Sequence, residues 1–78
     1  MKIIIQTNNK KIMNFSINIQ QDKTIRDLKT NIWLLTNIPF NYQELWYNET
    51  QLLNDNKLED YHILIDSKLT MDIKINSH

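Results

Sequence analysis

The stretch Leu-Glu-Asp-Tyr-His-Ile at residues 58–63 has the pattern of one tight helical turn that ends on a tyrosine. In a compact domain such a tyrosine usually holds a surface loop in place, because its ring buries apolar area and its hydroxyl needs a hydrogen-bonding partner. We therefore expect Tyr61 to act as a structural clasp. The 78-residue chain contains no glycine, so any left-handed turn position is expected to hold asparagine or aspartate.

A helix is predicted upstream of this turn, from about residue 25 to residue 36. Thr24 and Asp27 form a start that resembles a capping box. The apolar residues that then fall on one helical stripe are Ile25, Leu28, Ile32 and Leu35. Pro39 fixes its own backbone and disfavours helical geometry in Ile38, so the helix is expected to end before this dipeptide.

Alternation of apolar and polar residues predicts the strands that surround the helix. Two strands at the start of the chain, with a polar turn at residues 8–11, form a hairpin whose apolar positions are Met1, Ile3, Ile5, Phe15, Ile17 and Ile19. After the helix we predict a strand at 43–47, a short strand at Leu52 and Leu53, and a last strand at 68–75. The predicted order is ββαββ-turn-β, an α+β fold in one domain spanning residues 1–78.

The amino-acid composition argues against several classes of function. Nine basic and nine acidic side chains cancel without a run of like charge, so we expect no binding to nucleic acid or membrane. The absence of cysteine excludes a thiol nucleophile and a cysteine-type zinc site. The longest apolar stretches are far too short to span a bilayer. We expect a monomer in the cytoplasm, the nucleus or both, without a cofactor, whose partners are other proteins.

The order of elements, in this length, resembles the family of ubiquitin and ubiquitin-like proteins, in which a mixed sheet of the β-grasp fold wraps around one helix. The resemblance covers the chain from Met1 to about Ile75. The residues that carry it are Met1, Lys2, Ile3, Thr7, Thr24, Ile25, Leu28, Lys29, Ile32, Ile38, Pro39, Leu45, Leu52, Leu58, Asp60, Tyr61, Ile63, Ser67 and Leu69. The resemblance implies that Tyr61 bonds to the backbone of a loop. It also implies an acid partner for Lys29, but Asn54 stands at the matching place, with Asp55 next to it.

Departures from the family bear on function. Conjugated members have a Gly-Gly carboxyl terminus, whereas Ser77 and His78 stand at these places, so we expect that this chain is not conjugated. The places of several lysines that ubiquitin uses for chain extension are taken by Gln6, Leu35, Thr50 and Ile65. The resemblance therefore predicts an interaction module that docks onto ubiquitin-reading or proteasome-associated proteins. Two alternatives stay open, a regulatory ubiquitin-like domain of a larger deubiquitinase or ligase, and a structural subunit of a large assembly such as a splicing complex.

The resemblance also indicates two candidate partner surfaces. Trp46 stands at the place of the family's central isoleucine on the outer sheet face, and because Leu45 points inward Trp46 is expected to be exposed. The neighbours that complete this first candidate surface are Glu44, Thr70 and Asp72. The second candidate surface, near the carboxyl end, consists of Ile38, Ile73 and Ile75.

The sequence offers a few further residues that could take part in binding or chemistry. Trp33 and Leu34 fall off the buried helical stripe, and they form either an additional binding surface or a contact with a missing part of a larger protein. His62 lies close to Asp60, but adjacent turn residues diverge and no nucleophile accompanies them. The carboxylates are scattered over different predicted elements. We therefore expect neither an enzyme nor a metal site.

Overall fold

Five strands, one α-helix and two 3₁₀ turns form within the residues that this computed structural model describes, 1–8 and 12–74. Their bounds are β1 Lys2–Thr7, β2 Phe15–Asn18, α1 Ile25–Thr36, η1 Phe40–Tyr42, β3 Gln43–Tyr47, β4 Thr50–Gln51, η2 Leu58–Tyr61 and β5 Lys68–Ile73. The strands make one sheet in the order β2-β1-β5-β3-β4. Only the β1 and β5 pair is parallel among these strands, and the other pairs are antiparallel. The predicted α+β fold, a β-grasp sheet around one helix, is confirmed.

Capping hydrogen bonds fix both ends of helix α1. The hydroxyl of Thr24 accepts a hydrogen bond from the backbone N–H of Asp27, and the carboxylate of Asp27 accepts one from the backbone N–H of Thr24, both at 3.2 Å. At the other end Asn37 adopts a left-handed conformation, with φ 65°, and its N–H donates to the carbonyl of Trp33 at 2.8 Å. These hydrogen bonds cap both ends of the helix, and its observed bounds agree with the predicted ones. No helix in the described part of the chain is long and apolar enough to cross a membrane.

The prediction that Leu35 belongs to the buried helical stripe is wrong. The buried residues of α1 are Ile25, Leu28, Lys29 and Ile32, whereas Leu35 is 60% exposed. At about 100° per residue, Leu35 lies roughly 70° from the centre of the buried stripe. It also belongs to the last turn of the helix, so its side chain is left in solvent.

The middle strands differ from the prediction in their positions. The short strand β4 is Thr50–Gln51 and not Leu52 with Leu53. Asn48 and Glu49, with φ values of 49° and 67°, form a two-residue turn that reverses the chain directly after β3. Leu52 is buried after the strand has ended, and Leu53 is exposed. The last strand ends at Ile73, and the rest of the predicted strand, Ile75 included, lies outside the described residues.

The core lies between the helix and the inner face of the sheet. It is an almost purely aliphatic cluster of Ile3, Ile5, Ile17, Ile19, Ile25, Leu28, Ile32, Ile38, Leu45, Leu52, Leu58, Ile63, Leu69 and Met71. Every second residue of the central strands contributes to it, so the intervening residues necessarily face outward. This alternation determines which side chains are available on the outer face of the sheet.

Candidate interaction surfaces

The outer face of the sheet is organised around one row of uncharged side chains. Thr70 in β5 pairs with Gln6 in β1 and with Trp46 in β3, and Trp46 pairs with Gln51 in β4. These four residues alternate with buried ones, so they share the outward face. We call them the Trp46 row. Trp46 lies between its two polar neighbours in the interior of this face.

Trp46 is less exposed than its sequence position suggested. The residue is half-buried, and its indole nitrogen Nε1 is buried without a hydrogen-bonding partner in the described structure. Trp46 thus lies on the outer face as expected, but it is half-buried and not exposed. A half-buried tryptophan still offers apolar area to a partner, and its fixed position lowers the entropic cost of binding.

Charged residues occupy the row that lies next to the Trp46 row. Glu44 and Asp72 are paired across β3 and β5, which places two carboxylates on neighbouring positions of the same face. Lys74 Nζ lies 3.2 Å from Glu44 Oε1, and the side-chain amide of Asn8 donates to Asp72 Oδ1 at 2.7 Å. Since like charges in opposed positions repel, these two contacts offset part of the repulsion. The first candidate surface, Trp46, Glu44, Thr70 and Asp72, is thus contiguous in register.

The second candidate surface is not an exposed patch in the described residues. Ile38 is 9% exposed and belongs to the core cluster, and Ile73 is partly buried against the same cluster. Ile75 lies outside the described residues. Both described members pack at the edge of the core, because the loop after α1 folds back onto the last strand. Little of their apolar area is therefore available to a partner.

The carboxyl-terminal part of helix α1 exposes three consecutive apolar side chains. Trp33, Leu34 and Leu35 are 45%, 81% and 60% exposed. The sequence indicated the first two, which fall off the buried stripe, and missed the third. Consecutive side chains on a helix point about 100° apart, so these three do not share one face but surround the solvent side of the helix end, with Leu34 in the middle. The other large apolar side chains that the structure exposes are Met13, Tyr42, Leu53, Leu64 and Ile65, none of which the periodic patterns identified as exposed.

Lys29 is a buried residue whose ammonium group forms no ion pair with a carboxylate in residues 1–8 and 12–74. Its side chain projects toward the ring of Phe40, whose centroid is 5.3 Å from Nζ, and the residue is 8% exposed. Burial lowers the pKa of Lys29, whereas the nearby Glu44 carboxylate acts to raise it. Asp55 does not replace the missing acid, because it pairs with Arg26 at 2.7 Å.

Lys29 lines a small open cavity of about 180 Å³. Lys29, Gln43 and Asn54 lie in its wall together with Phe40. The side-chain oxygens of Gln43 and Asn54 are buried without a hydrogen-bonding partner in the described structure. Asn54 therefore shares the cavity of Lys29, and as a neutral amide it supplies no ion pair.

Asp60 and His62 form parts of the turn and not a chemical centre. The carboxylate of Asp60 accepts a hydrogen bond from the backbone N–H of Lys57 at 2.8 Å, which caps η2. His62 is exposed and adopts a left-handed conformation, with φ 58°, where it ends the turn. Within residues 1–8 and 12–74 there is no group of three or more His, Cys, Asp or Glu side chains that could hold a metal ion.

Comparison with known proteins agrees with this architecture. A sequence model with the description "Ubiquitin family" matches residues 3–75. The match spans all the described strands from Ile3 onward and the single helix, and thus both the Trp46 row and the exposed helix end. A search of curated proteins found no match. Ser77 and His78, which carried the expectation about conjugation, lie outside the described residues.

Proposed function

The chain belongs to the ubiquitin family, and we propose that it is a protein-protein interaction module that docks onto ubiquitin-reading or proteasome-associated proteins. In this proposal the domain is not an enzyme and needs no cofactor, and it works in the cytoplasm, the nucleus or both. The observation that carries it is the position of Trp46 in the interior of the outer sheet face, between Thr70 and Gln51.

The chemistry of this face supports a role in binding. Trp46 is flanked by small or uncharged side chains of the neighbouring strands, so a partner can approach its ring without displacing a charge. Tryptophan is among the residue types that most often dominate the energy of a protein interface. Glu44 and Asp72, two positions along the strands, add negative charge beside it. The partner that fits best presents an apolar side chain to Trp46 and a basic one to the carboxylates.

A titration tests this proposal. Ubiquitin-binding helices or proteasomal receptor domains are added to the ¹⁵N-labelled chain, and amide shifts are expected at residues 44–47 and 68–74. Trp46→Ala is expected to weaken binding by about 30-fold or more, since truncation of an aromatic interface anchor costs about 2 kcal/mol. The free energy of unfolding of the variant is measured alongside, because Trp46 is half-buried.

Trp33→Ala is the matched control, because it removes the same side chain from a position that is 45% exposed on α1. This variant is expected to bind as the parent chain does. Unchanged affinity in Trp46→Ala, or shifts confined to residues 33–35, would contradict the proposal and move the binding surface to the helix.

The exposed helix end favours a second candidate function, a regulatory domain of a larger enzyme such as a deubiquitinase or ligase. Trp33, Leu34 and Leu35 offer an apolar area that another domain of the same polypeptide can cover. The test is to read the gene beyond codon 78 and, where more coding sequence follows, to compare amide spectra of the longer and the 78-residue chains. Shifts at residues 33–35 support this candidate, and identical spectra over α1 contradict it.

A further inference from the structure

The two sides of the Trp46 row carry charges of opposite sign, a feature that the proposed function does not use. On one side of the row, two residues before Thr70 in β5, lies Lys68. On the other side, two residues after Thr70, lies Asp72, paired with Glu44. All these positions share the outer face, because they are separated by even numbers of residues along their strands. The face therefore carries Lys68 on one side of an uncharged row and, on the other side, the carboxylates of Asp72 and Glu44 with Lys74 paired to Glu44.

These charges are only partly neutralised within the domain. Among the described residues, neither Lys68 nor Asp72 forms an ion pair; the ion pairs of this region are Lys2 with Asp66 and Lys74 with Glu44. Asp72 accepts a hydrogen bond from the neutral amide of Asn8. Asp72 follows Lys68 by four steps along the strand, a distance of about 13 Å. Within the described part of the chain, Lys68 and Asp72 are therefore not neutralised by an opposite charge.

We propose that a second copy of this chain binds to this face, with the two sheets stacked about a two-fold axis that runs along the Trp46 row. A rotation about this axis reverses the strand direction and leaves the row in place. Trp46 then lies opposite the Trp46 of the second copy, and Lys68 of each copy lies opposite Asp72 of the other. The Lys68–Asp72 contact is formed twice, as an isologous interface requires, and the contact between the two Trp46 side chains lies on the two-fold axis. The monomer expected from the sequence is replaced, in this proposal, by a monomer-dimer equilibrium.

The pattern favours a second copy because the face is complementary to itself. A rotation about the row exchanges the basic side and the acidic side, so attraction is obtained on both sides without any other molecule. Sheets that stack face to face are commonly aligned to within about 30°, which keeps the paired charges close.

The size of the face indicates a weak dimer. Four strands about 4.8 Å apart, over three rows of side chains, give a contact on the order of 400 Å² per copy, half of what a stable complex buries. Dissociation constants of about 0.1 to 1 mM are therefore expected, equivalent to roughly 4 to 5 kcal/mol of binding free energy.

The proposal is tested by sedimentation velocity and by amide shifts of the 78-residue chain between about 20 µM and about 2 mM, a range that spans the expected dissociation constants. The parent chain is expected to dimerise within this range and to dissociate as the salt concentration is raised. Lys68→Asp and Asp72→Lys are each expected to weaken the dimer by about tenfold or more, because like charges then meet on both sides of the row. Circular dichroism and chemical denaturation verify that each variant is folded.

The most discriminating experiment mixes the two charge variants, Lys68→Asp and Asp72→Lys. In an equimolar mixture, a copy with two acids meets a copy with two lysines, and a heterodimer is expected within about threefold of the parent affinity. The double variant that exchanges both charges is expected to dimerise likewise. The matched controls are Lys23→Asp and Asp22→Lys, which make the same changes of charge at exposed positions before α1 and leave dimerisation unchanged.

A chain that stays monomeric up to about 2 mM, or charge variants that fail to recover when mixed, would overturn self-association through this face. The titration with ubiquitin-binding helices is an independent measurement, performed at low chain concentration where the dimer has dissociated. A chain that binds those helices but never dimerises therefore overturns only this inference. A chain that dimerises but binds none of them overturns only the proposed function.

Discussion

The hydroxyl oxygen of Tyr61 accepts a hydrogen bond from the backbone N–H of Leu53 at 2.8 Å. It accepts a second from the side-chain amide of Asn56 at 2.9 Å. These bonds join the turn η2 to the loop that follows β4. Tyr61→Phe keeps the ring and removes both bonds, so it is expected to lower the free energy of unfolding by about 1 to 2 kcal/mol in chemical denaturation.

The control for this change is Tyr42→Phe. The side chain of Tyr42 is 42% exposed, and its hydroxyl has no partner among the described residues. Its removal is therefore expected to leave stability within about 0.5 kcal/mol of the parent chain. Equal stability of Tyr61→Phe and the parent would show that water replaces both bonds without cost and that Tyr61 is not a clasp.

Truncation of Leu69 tests how much one core side chain contributes to the stability of the fold. It is completely buried at the centre of β5, between β1 and β3. Leu69→Ala is expected to reduce the free energy of unfolding by roughly 2 to 5 kcal/mol, because the deletion removes buried methyl groups and leaves a cavity. Leu64→Ala, at a position that is 63% exposed, is the matched control and is expected to change stability by less than about 0.5 kcal/mol. Similar losses in both variants would contradict the assignment of Leu69 to the core.

The sequence predicted the fold well where periodicity and caps are unambiguous. Thr24 and Asp27 place the start of α1, and the alternation around Leu69 and Met71 places β5. The predicted position of β4 was wrong for two reasons. No glycine marks the turn before it, and the two adjacent leucines that follow have the apolar character of a strand. The left-handed residues Asn48 and Glu49 determine that position, and the sequence offers no signal for a glutamate with positive φ.

The turn at Asn48 and Glu49 gives a third prediction. Both residues have positive φ, as in a two-residue turn between antiparallel strands, where an Asn-Gly sequence is preferred. A Cβ atom in this conformation lies too close to the following carbonyl oxygen, which costs roughly 1 to 2 kcal/mol relative to glycine. Glu49→Gly is therefore expected to raise the free energy of unfolding by about 1 kcal/mol. Glu49→Ala retains Cβ and is expected to give no gain; equal gains in the two variants would assign the effect to the lost charge.

The candidate surface was predictable in its position but not in its exposure. Alternation from Leu45 puts Trp46 outward, and strand register brings it beside Thr70. Whether a tryptophan stands in solvent or lies against its neighbours depends on those neighbours, which no pattern along the chain specifies. The same reason explains Leu35, whose exposure depends on where the sheet ends beneath the helix.

A fourth prediction restores the missing acid of the buried lysine. Lys29 and Asn54 lie in the wall of the same cavity. Asn54→Asp is expected to raise the pKa of Lys29, measured by NMR titration of its side chain, because a nearby carboxylate favours the charged ammonium. Asn41→Asp adds the same charge at an exposed position on that cavity and is expected to have a smaller effect. An unchanged pKa in Asn54→Asp would show that the two side chains lie too far apart to pair.

The fifth prediction removes the buried charge altogether. Lys29→Met keeps most of the apolar stem that packs beside Phe40 and deletes an ammonium group without a carboxylate partner. The free energy of unfolding at pH 7 is expected to rise by about 1 kcal/mol, since replacing buried charge by apolar volume is often stabilising. Lys23→Met, at an exposed position, is the matched control and is expected to change little.

The gain from Lys29→Met is expected to depend on pH in a defined direction. Burial lowers the pKa of Lys29 in the folded chain below the value of 10.5 that applies when it is unfolded. Between the two values the unfolded chain binds more protons, so the stability of the parent chain rises with pH in this interval. The advantage of Lys29→Met is therefore largest below the folded-state pKa and shrinks as pH approaches 10.5. Denaturation of both chains at several alkaline pH values measures this; a difference in stability that stays constant would mean that Lys29 titrates in the folded chain as it does in water.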